Sequence, residues 1–136
     1  MSSNVGRMNR AKVLSQVRNF NMQYGDCIVI AGSAMVILGL RETTSDIDIV
    51  VSPKIYEAIK QKHGSTKLFD PDMEVTKLGT LDISDSGYGT TDYIVVDGVK
   101  TMTPKALLAF KKSLNRPKDQ EDIINLERYL KTMEKF

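Results

Sequence analysis

The sequence predicts an α/β (α+β) fold, in which a small mixed β-sheet is flanked by helices. Residues 27–31 form a continuous apolar run rich in β-branched side chains, which is typical of a central strand covered on both faces. Residues 46–51 form a second strand, and the Asp97-Gly98 pair between two β-rich runs matches a type I′ hairpin turn. Amphipathic segments with helical spacing lie before, between and after these strands, so we expect helices packed on one sheet.

The bulk properties favour a single domain, residues 1–136, with a core of its own. A hydrophobic fraction of 41% and a charged fraction of 26% are those of a globular protein, not of a disordered chain. The net charge of +2 permits a nucleic-acid partner without predicting one, because such binding needs clustered charge. With Cys27 as the single cysteine and no apolar run near the roughly 18 residues of a membrane span, we expect a cytoplasmic protein without a membrane partner.

Helix starts are marked by capping residues and proline. Ser52 and Thr103 each precede a proline, a combination typical of a helix N-terminus. Gly32 is expected to turn the chain so that Ser33 caps a short helix. The last helix is expected to bury one apolar face, made of Ile123, Leu126, Leu130 and Met133. The predicted helices cover residues 8–23, 34–38, 53–62, 104–114 and 118–135.

Short β-rich runs separated by turn residues predict the sheet. Gly79-Thr80 is expected to form a tight turn between two antiparallel strands. The predicted strands cover residues 27–31, 46–51, 67–69, 73–78, 81–83, 93–96 and 99–102.

A pair of carboxylates on the second strand is the strongest chemical signal. Asp46 and Asp48 are two residues apart, so their side chains project from the same face of the strand. The alternate residues Ile47, Ile49 and Val51 face an apolar layer. Because two like charges on so apolar a strand repel each other and resist desolvation, a shared Mg²⁺ or Mn²⁺ ion is predicted.

A third carboxylate is expected from a neighbouring strand. Asp82 lies between Leu81 and Ile83 and therefore projects alone from the opposite face. Glu74 and Asp72 are the alternatives, because strand pairing cannot be read from the sequence. A carboxylate here could bind metal and accept or relay a proton from an attacking hydroxyl.

Gly32-Ser33 at a strand-to-helix junction is compatible with phosphate binding. Glycine allows close approach to the backbone, and the first amides of a helix favour an anion. The chain has no Walker-type Gly-rich loop, which excludes a P-loop.

The order Gly32-Ser33, Asp46-Ile47-Asp48 and Asp82 resembles the polymerase β-like nucleotidyltransferase superfamily. Residues 32–48 are similar to the small bacterial and phage nucleotidyltransferases related to AbiEii-type toxins of toxin–antitoxin systems. Lys111 and the segment 116–123, with its Arg-x-Lys-Asp-x-x-Asp pattern, resemble the C-terminal part of the same proteins. The resemblance spans about residues 27–130.

The resemblance implies transfer of a nucleoside monophosphate from an NTP such as ATP to an acceptor, with Mg²⁺ or Mn²⁺. In that scheme Gly32 and Ser33 hold the outer phosphates, and Asp46 and Asp48 ligate the metal. Asp82 ligates the catalytic metal and helps to activate the acceptor hydroxyl. The nucleotide-binding cations are expected to be Lys111 first, followed by Arg41 and Lys118.

The acceptor stays open between an RNA such as tRNA, a protein hydroxyl and a small molecule. AbiEii-type proteins generally carry a further substrate-binding region, so a homodimer or a partner chain is expected to supply that surface. The alternative is a non-catalytic binding or antitoxin-like protein of the same fold. A third interpretation, the Asp-x-Asp metal motif of a glycosyltransferase, leaves Gly32-Ser33 unexplained.

Overall fold

A computed structural model describes residues 6–69 and 72–134. Within these residues it confirms the mixed α/β architecture, with five α-helices and a seven-stranded sheet. The helices are α1 (Arg10–Tyr24), α2 (Ala31–Ile37), α3 (Pro53–His63), α4 (Pro104–Leu114) and α5 (Gln120–Met133). The strands are β1 (Ile28–Ile30), β2 (Ile47–Val50), β3 (Thr66–Phe69), β4 (Asp72–Leu78), β5 (Leu81–Ser84), β6 (Tyr93–Val96) and β7 (Val99–Met102).

The sheet combines parallel and antiparallel pairs in the order β3-β4-β5-β2-β1-β7-β6. Strand β2 pairs parallel with β5 and antiparallel with β1, and β1 pairs parallel with β7. The remaining neighbours are antiparallel hairpins. The two aspartate-bearing strands, β2 and β5, are therefore adjacent near the middle of the sheet.

The register of these strands aligns the charged residues. Asp48 of β2 lies opposite Asp82 of β5, and Lys77 of β4 lies opposite Asp82 on the other side. The second pairing follows from the tight turn at Gly79-Thr80, which joins Leu78 directly to Leu81 across the hairpin. Three adjacent strands thus present Asp48, Asp82 and Lys77 in one row.

Several local predictions are confirmed. The hydroxyl of Ser52 accepts from the backbone N–H of Ile55, and the hydroxyl of Thr103 accepts from that of Ala106, so both residues cap their helices. Asp97 and Gly98 both have positive φ angles, 49° and 78°, as a type I′ turn requires.

The start of α2 corrects one prediction. The chain turns at Ala31, whose φ is +57°, and the helix begins there and not after Gly32. The N-cap position is Ile30, which has no side chain able to cap, so the prediction that Ser33 is the N-cap was wrong. Ser33 instead lies inside the first turn, completely buried.

Both terminal helices also differ from their predicted bounds. Helix α1 begins at Arg10 and not at residue 8, because Asn9 caps it and Met8 forms a β-bridge with Thr44. At the other end, Pro117–Asp119 form a 3-10 turn before α5. The predicted end at residue 135 lies outside the described residues. Ile123 and Leu126 are buried as expected, but Met133 is half-exposed because it lies in the last turn.

One core holds these elements together. Helix α2 packs against α1 and α4 and also contacts β1 and β2, so it lies at the centre of the domain. The core includes Ile47, Ile49 and Val51, which confirms that the face of the strand alternate to Asp46 and Asp48 is apolar. Among the described residues, no helix is both long and apolar enough to span a bilayer.

The docking of α5 gives a direct test of this packing. Leu126 is completely buried, whereas Ile124 in the same helix is 54% exposed. We expect Leu126→Ala to lower the free energy of unfolding by about 3 kcal/mol, because it removes buried methyl groups and leaves a cavity. Ile124→Ala, the matched control, should change it by less than about 0.5 kcal/mol in urea unfolding. Equal losses in the two variants would contradict the described face.

Candidate functional site

Three carboxylates line one cavity on the sheet. Asp46, Asp48 and Asp82 border a space of about 350 Å³, which we call the acidic cleft. Asp48 and Asp82 enter it from neighbouring parallel strands, at paired register positions. Asp46 lies just before β2 and is exposed. The structure thus brings together the three residues that the sequence analysis selected from separate segments.

The rest of the cleft is divided between cations and apolar groups. Lys77, Arg116 and Lys118 supply positive charge. An apolar wall contains side chains from β1, β4 and α4, namely Ile30, Met73, Val75, Phe110 and Leu114. Such a mixture of a few charged groups with an apolar wall is typical of a small-molecule site.

Ser33 fixes the backbone of the central carboxylate. Its Oγ accepts from the backbone N–H of Asp48 at 3.1 Å and donates to the carbonyl oxygen of Ile30 at 2.8 Å. Because Ser33 is fully buried, these hydrogen bonds tie the end of β1 to the middle of β2. The Ser33 hydroxyl therefore holds the backbone of Asp48 in position.

The environment of Asp48 disfavours its charged form. Burial, followed by the charges of Asp82 and Asp46, raises the pKa of Asp48 from 3.8 to about 6. Lys77 and Lys111 act in the opposite direction without cancelling this effect. The cleft therefore carries more negative charge than its own lysines offset.

Lys77 is a site residue that the sequence analysis missed. Its Nζ donates to Asp82 Oδ1 at 2.8 Å. This hydrogen bond to Asp82, together with the charges of the three aspartates, raises the pKa of Lys77. The signal was present in the sequence, because a two-residue turn at Gly79-Thr80 requires Lys77 to face Asp82 across the hairpin.

The alternative third carboxylates have different outcomes. Glu74 Oε1 accepts from Tyr56 Oη and from Lys60 Nζ, each at 2.9 Å, and does not line the acidic cleft. Glu74 therefore links β4 to α3 through these two contacts. The side chain of Asp72 lies outside the described residues.

Lys111 does not face the cleft as expected. It is buried, and its Nζ lies 3.1 Å from Asp119 Oδ1 and 3.1 Å from Asp122 Oδ2. The reason is long-range packing, since α4 lies against α5 and directs this side chain into the interface. Lys111 thus joins the two C-terminal helices, and its charge also acts on Asp48 in the cleft.

Arg116 and Lys118 lie closer to the site than Lys111 does. Arg116 Nε donates to Asp119 Oδ2 at 2.6 Å, and both Arg116 and Lys118 line the acidic cleft. Burial raises the pKa of Asp119, but hydrogen bonds from Arg116 and Lys111 outweigh it and hold that pKa below its usual value. The buried carboxylate of Asp119 therefore anchors the turn that carries the two cations. Arg116 was noticed only as part of a motif, without a role.

Arg41 lies over the start of α2 and beside a second cavity. A Cβ at Gly32 would lie 2.6 Å from Arg41 Nη1, so the absence of a side chain at Gly32 makes room for this guanidinium. Arg41 also lies 3.6 Å from Asp122 Oδ2. Together with Arg7 and Lys118 it lines a space of about 420 Å³. Lys118 borders both cavities.

The donor set suits a hard divalent cation held by two carboxylates. The described residues contain no group of three or more His, Cys, Asp or Glu side chains arranged to hold a metal. Mg²⁺ is commonly bound by one or two carboxylates and completed by substrate phosphates. Asp46 and Asp48 would hold such an ion, and their oxygen donors and the raised pKa of Asp48 both favour it.

Asp48 makes stability depend on pH in a defined direction. Its pKa is about 6 in the folded chain and about 4 when unfolded, so the folded state binds the proton more tightly. The stabilisation from this proton is full below pH 4 and is lost as the pH rises through 6. The free energy of unfolding of Asp48→Asn, taken relative to that of the wild type, should therefore rise by about 3 kcal/mol between pH 4 and pH 7.5. Urea unfolding in the presence of a chelator measures this difference. Asp92→Asn, an exposed residue, is the control. A gain that does not change with pH would contradict the described environment.

The Lys111 interface gives a second prediction with an adjacent control. Lys111→Met leaves two buried or half-buried carboxylates short of a partner, so we expect a loss of about 3 kcal/mol in the free energy of unfolding. Lys112 pairs with Glu127 at the surface, where both side chains are more than half exposed. Lys112→Met should have an effect near zero in the same chemical denaturation. If the two variants lost equal stability, the buried position of Lys111 would be wrong.

No protein-family model and no curated protein matches the chain. A function is therefore inferred from the acidic cleft, with carboxylates on adjacent strands and cations on β4 and on the turn before α5.

Proposed function

We propose that the chain is a metal-dependent nucleotidyltransferase, which transfers a nucleoside monophosphate from an NTP to a hydroxyl acceptor. The observation that carries this proposal is the paired register of Asp48 and Asp82 on adjacent strands, with Asp46 in the same cleft. Opposed carboxylates beside cations suit the handling of phosphate groups, which need charge neutralisation and positioning. The motif order described in the sequence analysis supports the same activity.

Each charged group has a role in this proposal. Asp46 and Asp48 would hold Mg²⁺ or Mn²⁺, which when bound neutralises phosphate charge and polarises the reacting phosphorus. Arg116 and Lys118 line the cleft, which supports a role for them in binding the outer phosphates of the NTP. Arg41 borders the adjoining space and is a second-rank candidate for the same task. The hydrogen bonds of Ser33 support a positioning role for this residue toward Asp48.

The reaction is a substitution at the α-phosphorus. The acceptor hydroxyl oxygen forms a bond to this phosphorus, and the bond to the pyrophosphate oxygen breaks, so pyrophosphate leaves with that electron pair. Asp82 accepts the hydroxyl proton on Oδ2, since its Oδ1 accepts from Lys77. Lys77 holds this carboxylate in place.

Two observations favour the alternative, a non-catalytic binding or antitoxin-like protein of this fold. Asp82 is hydrogen-bonded to Lys77, and the described residues hold no ready three-carboxylate metal group. A binding protein would tolerate both features. It would bind a partner tightly without transferring a nucleotide.

Label transfer tests the activity. The protein is incubated with Mg²⁺ and each of the four α-³²P-labelled NTPs, with tRNA or with a protein mixture as acceptor. We expect label on one acceptor class, and more than about a 100-fold loss in Asp46→Asn/Asp48→Asn because the metal ligands are removed. γ-Labelled ATP should give no transfer, which distinguishes nucleotidyl transfer from kinase activity.

The matched control is Asp92→Asn, which removes an exposed carboxylate outside the cleft and should retain full transfer. Transfer that survives in the double variant would contradict the proposed site. If no NTP labels any acceptor and calorimetry detects no Mg²⁺–NTP binding, the non-catalytic alternative is favoured.

A further inference from the structure

We propose that the ammonium group of Lys77 takes the place of a second metal ion in the acidic cleft. The chain then binds one divalent cation, on Asp46 and Asp48, and not two. The inference rests on the proposed function and adds to it the metal stoichiometry of the site. It also gives a role to a lysine that the motif order does not contain.

The geometry of the Lys77–Asp82 pair supports this role. The 2.8 Å hydrogen bond from Lys77 Nζ to Asp82 Oδ1 joins residues at paired register positions of a tight hairpin. The backbone therefore fixes the positions of both Cα atoms. Only 11% of the Asp82 side chain is exposed. The ammonium group therefore covers an almost buried carboxylate, as a metal ion would.

The position of Lys77 relative to the other two carboxylates points the same way. Lys77 faces Asp82 across one strand pair, Asp82 faces Asp48 across the next, and all three line the acidic cleft together with Asp46. The ammonium group therefore lies in the same cleft as all three carboxylates, where a shared metal ion would also lie.

The charges of the three cleft carboxylates and Lys77 agree with one divalent ion. Three ionised carboxylates and one ammonium leave two negative charges, which a single Mg²⁺ or Mn²⁺ neutralises. A second divalent ion would have to displace Lys77 from Asp82 and would leave the cluster positively charged.

Lys77 can be removed without opening the core. Its side chain is 59% exposed, and it lies on β4 at the edge of the cleft. Replacement by methionine keeps the length and apolar stem of the side chain and deletes the charge. Lys77 is thus a positioning residue for Asp82 whose charge can be tested apart from folding.

Counting bound Mn²⁺ tests the proposal without any turnover. Mn²⁺ alone is titrated at pH 8 into the full chain and followed by calorimetry and by the electron paramagnetic resonance signal of free Mn²⁺. We expect one ion per chain in the wild type and two in Lys77→Met. The first ion should bind about tenfold more tightly in Lys77→Met, because a positive charge beside it has been removed. Lys77→Arg should retain one ion.

The control is Lys60→Met, which deletes a lysine of α3 that pairs with Glu74 of β4 outside the cleft. It should bind one ion with unchanged affinity. Circular dichroism confirms that each variant is folded.

The possible counts separate the two proposals. Two ions in the wild type overturn the role of Lys77 while leaving a metal-dependent transferase intact. One ion in both the wild type and Lys77→Met would likewise overturn the role of Lys77 and leave a metal-dependent transferase intact. No bound Mn²⁺ in either protein removes the metal site, and with it both this inference and the proposed function.

Discussion

The parallel pairing of β2 with β5 is the constraint on which the site depends. It sets Asp48 directly opposite Asp82 near the middle of the sheet. Because both carboxylates are largely withdrawn from water, their repulsion has to be offset locally. The raised pKa of Asp48 shows that the chain's own groups offset it only in part. The cleft therefore favours a cationic ligand, and this preference is the physical basis of the proposed metal and nucleotide binding.

The cations around the cleft divide into two groups with different tasks. Lys77 bonds directly to a cleft carboxylate, while Arg116 and Lys118 line the space where an anionic substrate would lie. Lys111 is withdrawn into the interface of α4 with α5, where Asp119 and Asp122 surround it. This buried interaction holds the C-terminal helices in place, and so fixes the turn that carries Arg116 and Lys118.

Local signals in the sequence predicted most of the elements, because capping residues, prolines and tight turns act over a few residues. Ser52, Thr103 and the Asp97-Gly98 turn are examples. The parallel partner of β2 was not predictable, since nothing local specifies which distant strand pairs with it. Nothing local in the sequence specifies that α4 packs against α5 and directs Lys111 into their interface, so this residue was expected at the cleft. The N-cap at Ser33 was wrong because the chain turns one residue earlier, at an alanine with positive φ that propensity does not favour. Lys77 could have been found from the hairpin register alone.

The proposed site predicts that a divalent cation binds between Asp46 and Asp48 in the acidic cleft. Paramagnetic broadening of backbone amide signals by trace Mn²⁺ locates the ion directly. We expect the signals of β2 and the adjoining residues of β5 to disappear first, while the β6–β7 hairpin, separated from β2 by β1, loses less intensity. Addition of excess Mg²⁺ should restore the lost signals. Broadening that is centred away from β2, or that persists unchanged in Asp46→Asn/Asp48→Asn, would contradict a cation site at these two carboxylates.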